Sequence, residues 1–503
     1  MDIEPADEPR MNDLAERVVH GLDAVRRGIQ ARPTISLGTA GFLLSSAVVL
    51  AGGQVSANRP TDSLTSWIGL IRARDIASGS TWPAVVLLTA IVLLAGLWLV
   101  ALEVIRRGRP SSTRVWFLVG AWSTPFALGP PFMDTSVYSY AAYGLVQRAG
   151  HSPYDRAPSS LGAAQIVGAI DPAARGVPSS SGPLGSLVQH LSVSVAGGSA
   201  LGAVIVLRVI GVLAAVAIGR IAIRLAGSGR RTDALALCVL NPLVLLYVIS
   251  TPHLDGPMIA LSMGALLAAA RRRWLLAVAL AAAAGSVLAP ALVVVPAVMV
   301  AHCIGRRSMP IWQIVGRDAL VAAAVILGSA LISTGGFGWV RTVTDQFSIH
   351  TPYSVSGLIG KVLTPIVRGA SFDDLAASGR ITAAAAAAFL VVVVLATARQ
   401  RPLEQTAGYA LLAVAFLAPS LWPWYPLWGL LCLAPTASGI RRTWVMGLSI
   451  AACLLAPPGF SAIVTGRVVG VWLVIAGAAL ATVLVLEHRR AAAAPEQGIS
   501  ARK

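Results

Sequence analysis

Apolar runs long enough to cross a bilayer, parted by pairs and triplets of arginine, recur along almost the whole chain. A bilayer core needs about 20 apolar residues per helix. It also leaves no water for unpaired backbone groups, so such runs settle as helices that satisfy their own amides. Spans are expected near 34–56, 82–105, 113–132, 198–225, 232–251 and 256–270, and again near 313–335, 379–398, 405–419, 426–439, 443–457 and 466–487. The expected fold is all-α, a polytopic transmembrane bundle. Of the 503 residues, 56% are hydrophobic and 12% charged. A soluble domain carries about 25% charge, so a soluble enzyme is excluded. No soluble domain and no solenoid repeat interrupts the pattern.

The net charge of +17 would suggest nucleic acid in a soluble chain. Here the arginines fall in short clusters between apolar runs, such as Arg106-Arg107, Arg230-Arg231, Arg271 to Arg273, Arg306-Arg307 and Arg441-Arg442. That is the positive-inside pattern of cytoplasmic loops, and it argues against a nucleic-acid partner. The same rule bears on residues 274–303, an apolar stretch with a basic cluster at each end and GSVLAP in its middle. One crossing would put one cluster outside, so a hairpin of two short helices is expected. Counted as two, it brings the total to 14 spans; a single kinked span would make 13. The chain then divides into a cytoplasmic tail (1–33), a membrane domain (34–487) and a second cytoplasmic tail (488–503). No cleavable signal peptide is read at the start, and the first apolar run is expected to act as an anchor. Cys238, Cys303, Cys432 and Cys453 lie in apolar runs without metal spacing and read as small core residues.

This topology leaves the outer side with loops 57–81, 133–197 and 336–378, the turn 251–256 and the turn SLWPWYP at 420–426. The loop 133–197 is the longest, and its segments 136–149 and SLVQHLSVSVAGG are expected as interfacial helices, with tyrosines at headgroup depth. Ionisable groups on this side at membrane depth are functional candidates. Asp134 follows Gly-Pro-Pro at the top of a span; it is either a general base or a loop and helix-capping carboxylate. His253 and Asp255 share a tight turn and either grip a sugar or phosphate or merely make the turn polar. Two such groups are an incomplete metal set, so no metal site is expected, and whether a divalent ion is needed stays open. Arg208 stands mid-span, where an isolated arginine costs roughly 2.5–3.5 kcal/mol on insertion scales. It binds phosphate or braces the bundle. Trp424 and Tyr425, with Trp422 and Trp428 close by, suit either sugar faces or the aromatic belt. No Walker loop, Rossmann fingerprint or nucleophile elbow is present.

Several short stretches, in one order from about residue 115 to about 440, resemble the actinobacterial polyprenol-phosphomannose-dependent α-1,6-mannosyltransferases. They are VYSYAAYG with SPYD, SGPLGSL, LRVIGV, NPLVLLYVISTPHLD, SVLAPAL, GGFGWV and PWYPLW. The resemblance implies an integral membrane glycosyltransferase of the C-type fold. It implies a polyprenyl-phosphate-linked mannose as donor and a lipid-anchored α-1,6-mannan, the core of lipomannan and lipoarabinomannan, as acceptor. The reaction, on the outer face, inverts the anomeric carbon, and no cofactor is implied. Tyr138, Tyr140, Arg208, His253, Trp424 and Tyr425 match the family's positions, as do Gly182, Pro183, Asn241 and Trp428. The departures are chemical. The family's Asp before Val-Tyr-Ser-Tyr is Ser136 here, and Asp134 stands two residues earlier. Ser181 replaces a Tyr, Asp255 stands where the family has Glu, and Leu288 replaces a Lys suited to phosphate. Asp134 is therefore the candidate base, with Tyr138, Tyr140, Arg208, His253, Asp255, Trp424 and Tyr425 as candidate substrate-binding residues. A catalytically impaired paralogue that binds lipid-linked sugar, or a lipid-linked sugar transporter, is the alternative.

Overall fold

The computed structural model describes residues 33–55, 82–306, 309–346, 354–367, 369 and 371–454. Every regular element among them is helical. Helices α1 (Pro33–Val55), α2 (Trp82–Gly108) and α3 (Ser112–Leu128) pack as one group. Small residues let them approach closely. A Cβ on Gly41 would fall within the Trp122 indole, whose Nε1 donates to the Leu37 carbonyl at 2.9 Å.

The long loop 133–197 carries α4 (Ser136–Arg148) and α5 (Pro183–Val195). Both expected interfacial segments are thus helices, but the tyrosines of α4 turn toward protein. Tyr138 and Tyr143 are buried, and the Tyr143 hydroxyl donates to the Val177 carbonyl at 2.8 Å. The two helices touch where a Cβ on Gly144 would sit 2.3 Å from the Gln189 carbonyl oxygen.

Helix α6 (Ala200–Leu225) is followed by α7 (Arg231–Val239) and α8 (Pro242–Ser250), which are bent by 45° at Asn241-Pro242. Proline removes an amide there. Asn241 fills the gap, accepting from the Leu243 amide at 3.0 Å and donating to Ser449 Oγ at 2.8 Å. Within α8, Leu245–Ser250 winds as a π-helix. Helix α9 (Asp255–Ala270) runs back.

The stretch 274–303 is a hairpin. Its limbs are α10 (Trp274–Val287) and α11 (Val294–Gly305), and the Trp274 indole stacks on the His302 imidazole at 4.8 Å and 12°. Its two ends therefore meet, which brings the arginines at 271–273 and Arg306 to the same end. The break between the limbs receives the loop 133–197 at Gly182. Gly182 donates its N–H to the Val287 carbonyl at 3.0 Å, and a Cβ on it would lie 2.3 Å from the Ser286 oxygen. His302 and Asp318, wholly buried and 2.7 Å apart, tie the hairpin to α12 (Ile311–Ile332).

Then come α13 (Gly338–Gln346), α14 (Val355–Leu363), α15 (Phe372–Ala396), α16 (Leu403–Leu417), α17 (Leu427–Leu433) and α18 (Ile440–Cys453). Among the described residues, five helices are long and apolar enough to cross a membrane: α1, α2, α6, α12 and α15; α7 with α8 makes a sixth. The other expected spans that are described are shorter helices, such as α3, α9, α16 and α17, with α10 and α11 as hairpin limbs. The span expected near 466–487, the loop 57–81 and the C-terminal tail lie outside the described residues, as does the N-terminal tail before Pro33.

Candidate active site

Asp134 is held from both sides. Helix α3 ends before Gly129-Pro130-Pro131, where two prolines cannot continue it. A Cβ on Gly129 would meet Val49 at 2.2 Å, so the chain leaves α3 pressed against α1. Arg208, buried on α6, donates from Nη1 to the carbonyls of Phe126 and Gly129, the latter at 2.8 Å. A guanidinium there satisfies carbonyls at a helix C-terminus and meets the negative end of its dipole. On the far side, Asp134 Oδ1 accepts the Ser136 amide and so starts α4. The Asp134 side chain keeps 12% exposure, enough for a solvent-facing edge beside buried neighbours.

His253 comes to it from the π-turn. The Thr251 amide donates to the Leu246 carbonyl at 3.0 Å, and the His253 amide to the Tyr247 carbonyl at 3.2 Å. These reach-backs are wider than an α-helix allows, and they rotate the imidazole toward α4. His253 Nε2 lies 3.7 Å from Asp134 Oδ1, and Nδ1 lies 3.9 Å from Asp255 Oδ2. Both exceed a hydrogen bond, yet both suit an ion pair when the ring is protonated. Catalytic contacts of this kind commonly shorten once substrate is bound. Asp255, in the first turn of α9, accepts from the Trp428 indole N–H.

Aromatic rings close the site. Trp424 lies 4.1 Å from His253, 5.2 Å from Tyr247 and 5.2 Å from Trp422, on which it stacks. Tyr425 lies 4.1 Å from Trp428, and Tyr140 meets His253 edge-on at 6.4 Å. Burial, reinforced by the Asp255 and Asp134 charges, holds the Tyr140 phenol well above its ordinary range. It is thus a neutral hydrogen-bonding group at any working pH. The Tyr425 phenol is raised by burial and by Asp255.

The structure thus brings together Asp134, Tyr140, His253, Asp255, Trp424 and Tyr425. It takes Arg208 and Tyr138 a short way off, beside each other and against the end of α3. Trp428 and Tyr247 belong to the cluster as well. Trp428 was visible as one of several aromatics, but its partner was not. Tyr247 sits inside an apolar run, where nothing in the spacing marks it. Among the described residues, no group of three or more His, Cys, Asp or Glu is arranged to hold a metal ion.

Comparison with known proteins matches most of the sequence. The sequence profile described as "Alpha-(1->6)-mannopyranosyltransferase, N-terminal domain" matches residues 35–304, and that of the "MptB C-terminal domain" matches residues 357–487. The chain belongs to the alpha-(1->6)-mannopyranosyltransferase family. It is similar to alpha-(1->6)-mannopyranosyltransferase A of Mycobacterium tuberculosis, with 26% identity over 436 residues covering 82% of this chain and 83% of the relative. The enzyme of the same name from Corynebacterium glutamicum is 23% identical over 265 residues, covering 49% of this chain and 54% of that one.

The residues that the sequence resemblance marks as departures, Ser136, Ser181 and Leu288, all lie among the described residues. Ser136 opens α4, with its amide on Asp134, so the two share one turn. Ser181 Oγ accepts from Gln189 Nε2 at 2.9 Å, inside a polar layer under the hairpin. Leu288 stands in the hairpin break with an extended backbone (φ −142°, ψ 129°) and packs against the apolar core.

Proposed function

We propose that this chain transfers a mannosyl group from a polyprenyl-phosphate-linked donor to an α-1,6-mannan acceptor at the outer face of the plasma membrane. The observation that supports it is the approach of Asp134 and Asp255 to the two nitrogens of His253, beside the Trp422–Trp424 stack. The acceptor hydroxyl oxygen attacks C1 of the mannose. The bond from C1 to the phosphate oxygen breaks, and the lipid phosphate departs with that electron pair. The acceptor proton passes to Asp134. A β-linked donor thereby gives an α-linked product, and a base so placed contributes about 10²–10⁴-fold.

His253 orients Asp134 and offsets its charge, while Asp255, fixed by Trp428, orients His253. Tyr140 stands as a neutral hydrogen-bonding group, and Trp424 and Tyr425 present faces to the sugar. Arg208 and Tyr138 act at one remove, by holding the end of α3. The membrane domain 34–487 works as one unit among membrane lipids, with outer loop 133–197 carrying Asp134 and both termini cytoplasmic.

Purified protein supplied with polyprenyl-phosphomannose and an α-1,6-mannoside acceptor tests the reading. The expected outcome is an α-1,6-linked product with one polyprenyl phosphate released per bond. The apolar Leu288 in the hairpin break favours a second reading, a paralogue that binds lipid-linked sugar without turnover. Donor binding with no product from any α-1,6-mannoside would establish that one. Movement of donor across proteoliposomes without transfer would identify a transporter instead.

A further inference from the structure

The geometry points to Tyr247 as a substrate-reading residue: its hydroxyl donates a hydrogen bond to a hydroxyl group of the sugar held between Asp134 and Trp424. The inference rests on the glycosyl transfer proposed above and adds a specificity determinant to it.

Tyr247 lies in the π-helical turn Leu245–Ser250. Such turns recur at functional sites because they displace side chains from their α-helical positions. Its ring is wholly buried, 5.9 Å from His253 and 5.2 Å from Trp424. Its carbonyl holds the His253 amide, so one turn sets both side chains. A phenylalanine would supply the same packing. The hydroxyl is the unexplained part, because it is buried with no hydrogen-bond partner among the described residues.

It is not alone. Ser250 Oγ, Thr251 Oγ1 and both His253 ring nitrogens are likewise buried without a partner at hydrogen-bond distance. Buried polar atoms are nearly always bonded. Five such atoms fall in the one stretch from Tyr247 to His253, whose imidazole reaches toward Asp134. A run of unsatisfied donors and acceptors in a wall of aromatic rings fits a polyhydroxyl ligand. The charged groups closing on His253 are both carboxylates. Carboxylates attract hydroxyl donors and repel phosphate, so the sugar rather than the lipid phosphate is the part that Tyr247 reads.

Tyr247→Phe tests this, with two readouts that a structural role would move differently. Removing an unsatisfied hydroxyl leaves the melting temperature equal to or above that of the wild type. Transfer from polyprenyl-phosphomannose falls about tenfold or more, the worth of one hydrogen bond. Among donors carrying 2-, 3-, 4- or 6-deoxymannose, one brings wild type and Tyr247→Phe to equal rates. A melting temperature lowered by several degrees, or rates within twofold of wild type, overturns the inference, as does a tenfold loss that persists with all four deoxy donors. If the wild type transfers no sugar, glycosyl transfer fails separately. The stabilisation of each protein by polyprenyl-phosphomannose then decides, a smaller thermal shift for Tyr247→Phe supporting the contact and equal shifts overturning it.

Discussion

His253 Nε2 stands 3.7 Å from Asp134 Oδ1, although α4, α5, α6, α7 and α8 all lie between them in the chain. The contact joins the top of α3 to the turn after α8. It makes one site of two polar spots distant in the chain, and contacts outside the cluster brace the segments that carry them.

Arg208 is the first brace. Its hydrogen bonds to the carbonyls of Phe126 and Gly129 hold the exit of α3, from which the Asp134 loop hangs. Arg208→Met should lower stability by about 3 kcal/mol, since hydrogen bonds from a charged group are each worth roughly 1.5–3 kcal/mol. Arg208→Lys should recover part of it. Thermal melting in detergent measures this, with donor KM little changed. A donor KM raised tenfold at unchanged melting temperature would make Arg208 a phosphate ligand instead.

Gly182 is the second. Its Cα stands against the Ser286 carbonyl, where a Cβ would come within 2.3 Å of the oxygen. Gly182→Ala should cost about 1–3 kcal/mol, the usual penalty of overpacking, and reduce the yield of folded protein. Gly120 on α3 has nothing within 4 Å of the same position. Gly120→Ala should be neutral or gain about 0.5–1 kcal/mol. Melting temperatures of the two variants in one detergent check the contrast.

The third brace joins loop 152–155 to α13. Arg341 donates to the Tyr154 carbonyl at 3.1 Å and to Asp155 Oδ1 at 2.7 Å, and it holds the Asp155 carboxyl below the usual carboxylate range. A depressed folded value means that the contribution is present above the ordinary carboxylate pKa of about 3.9 and is lost as pH falls through the lower folded one. Both side chains are exposed, so it is small, about 0–1 kcal/mol. Asp155→Asn should melt slightly below wild type near pH 7. The gap should close toward pH 3 and shrink in 1 M salt.

Most of the bundle was legible in the spacing of its apolar runs. The hairpin at 274–303 followed from its two basic flanks and the GSVLAP break between them, because two basic clusters cannot lie on opposite sides of a membrane at no cost, and the Trp274–His302 stack bears it out. Helix α15 begins earlier than hydrophobicity indicated. Ser371 and Asp374 form a capping box that starts the helix at Phe372, seven residues before the apolar run expected at 379. Tyrosine positions on α4 were readable, but their direction was not. A belt tyrosine and a buried one share the same amphipathic pattern until a partner helix is known. The partners of Arg208 are carbonyls, which leave no trace in a side-chain pattern. For the same reason the π-turn that aims His253 and Tyr247 could not be read from an apolar stretch.

Asp134 is the proposed base, and Ser136 stands where the resemblance places the family's carboxylate. The most direct test is the transfer rate of Asp134→Asn from polyprenyl-phosphomannose to an α-1,6-mannoside, at saturating donor and with melting temperature measured alongside. The amide keeps the acceptor oxygen for the Ser136 amide and the start of α4 but takes up no proton. The expected outcome is a folded protein whose kcat falls at least about 100-fold. Full activity in Asp134→Asn would contradict it.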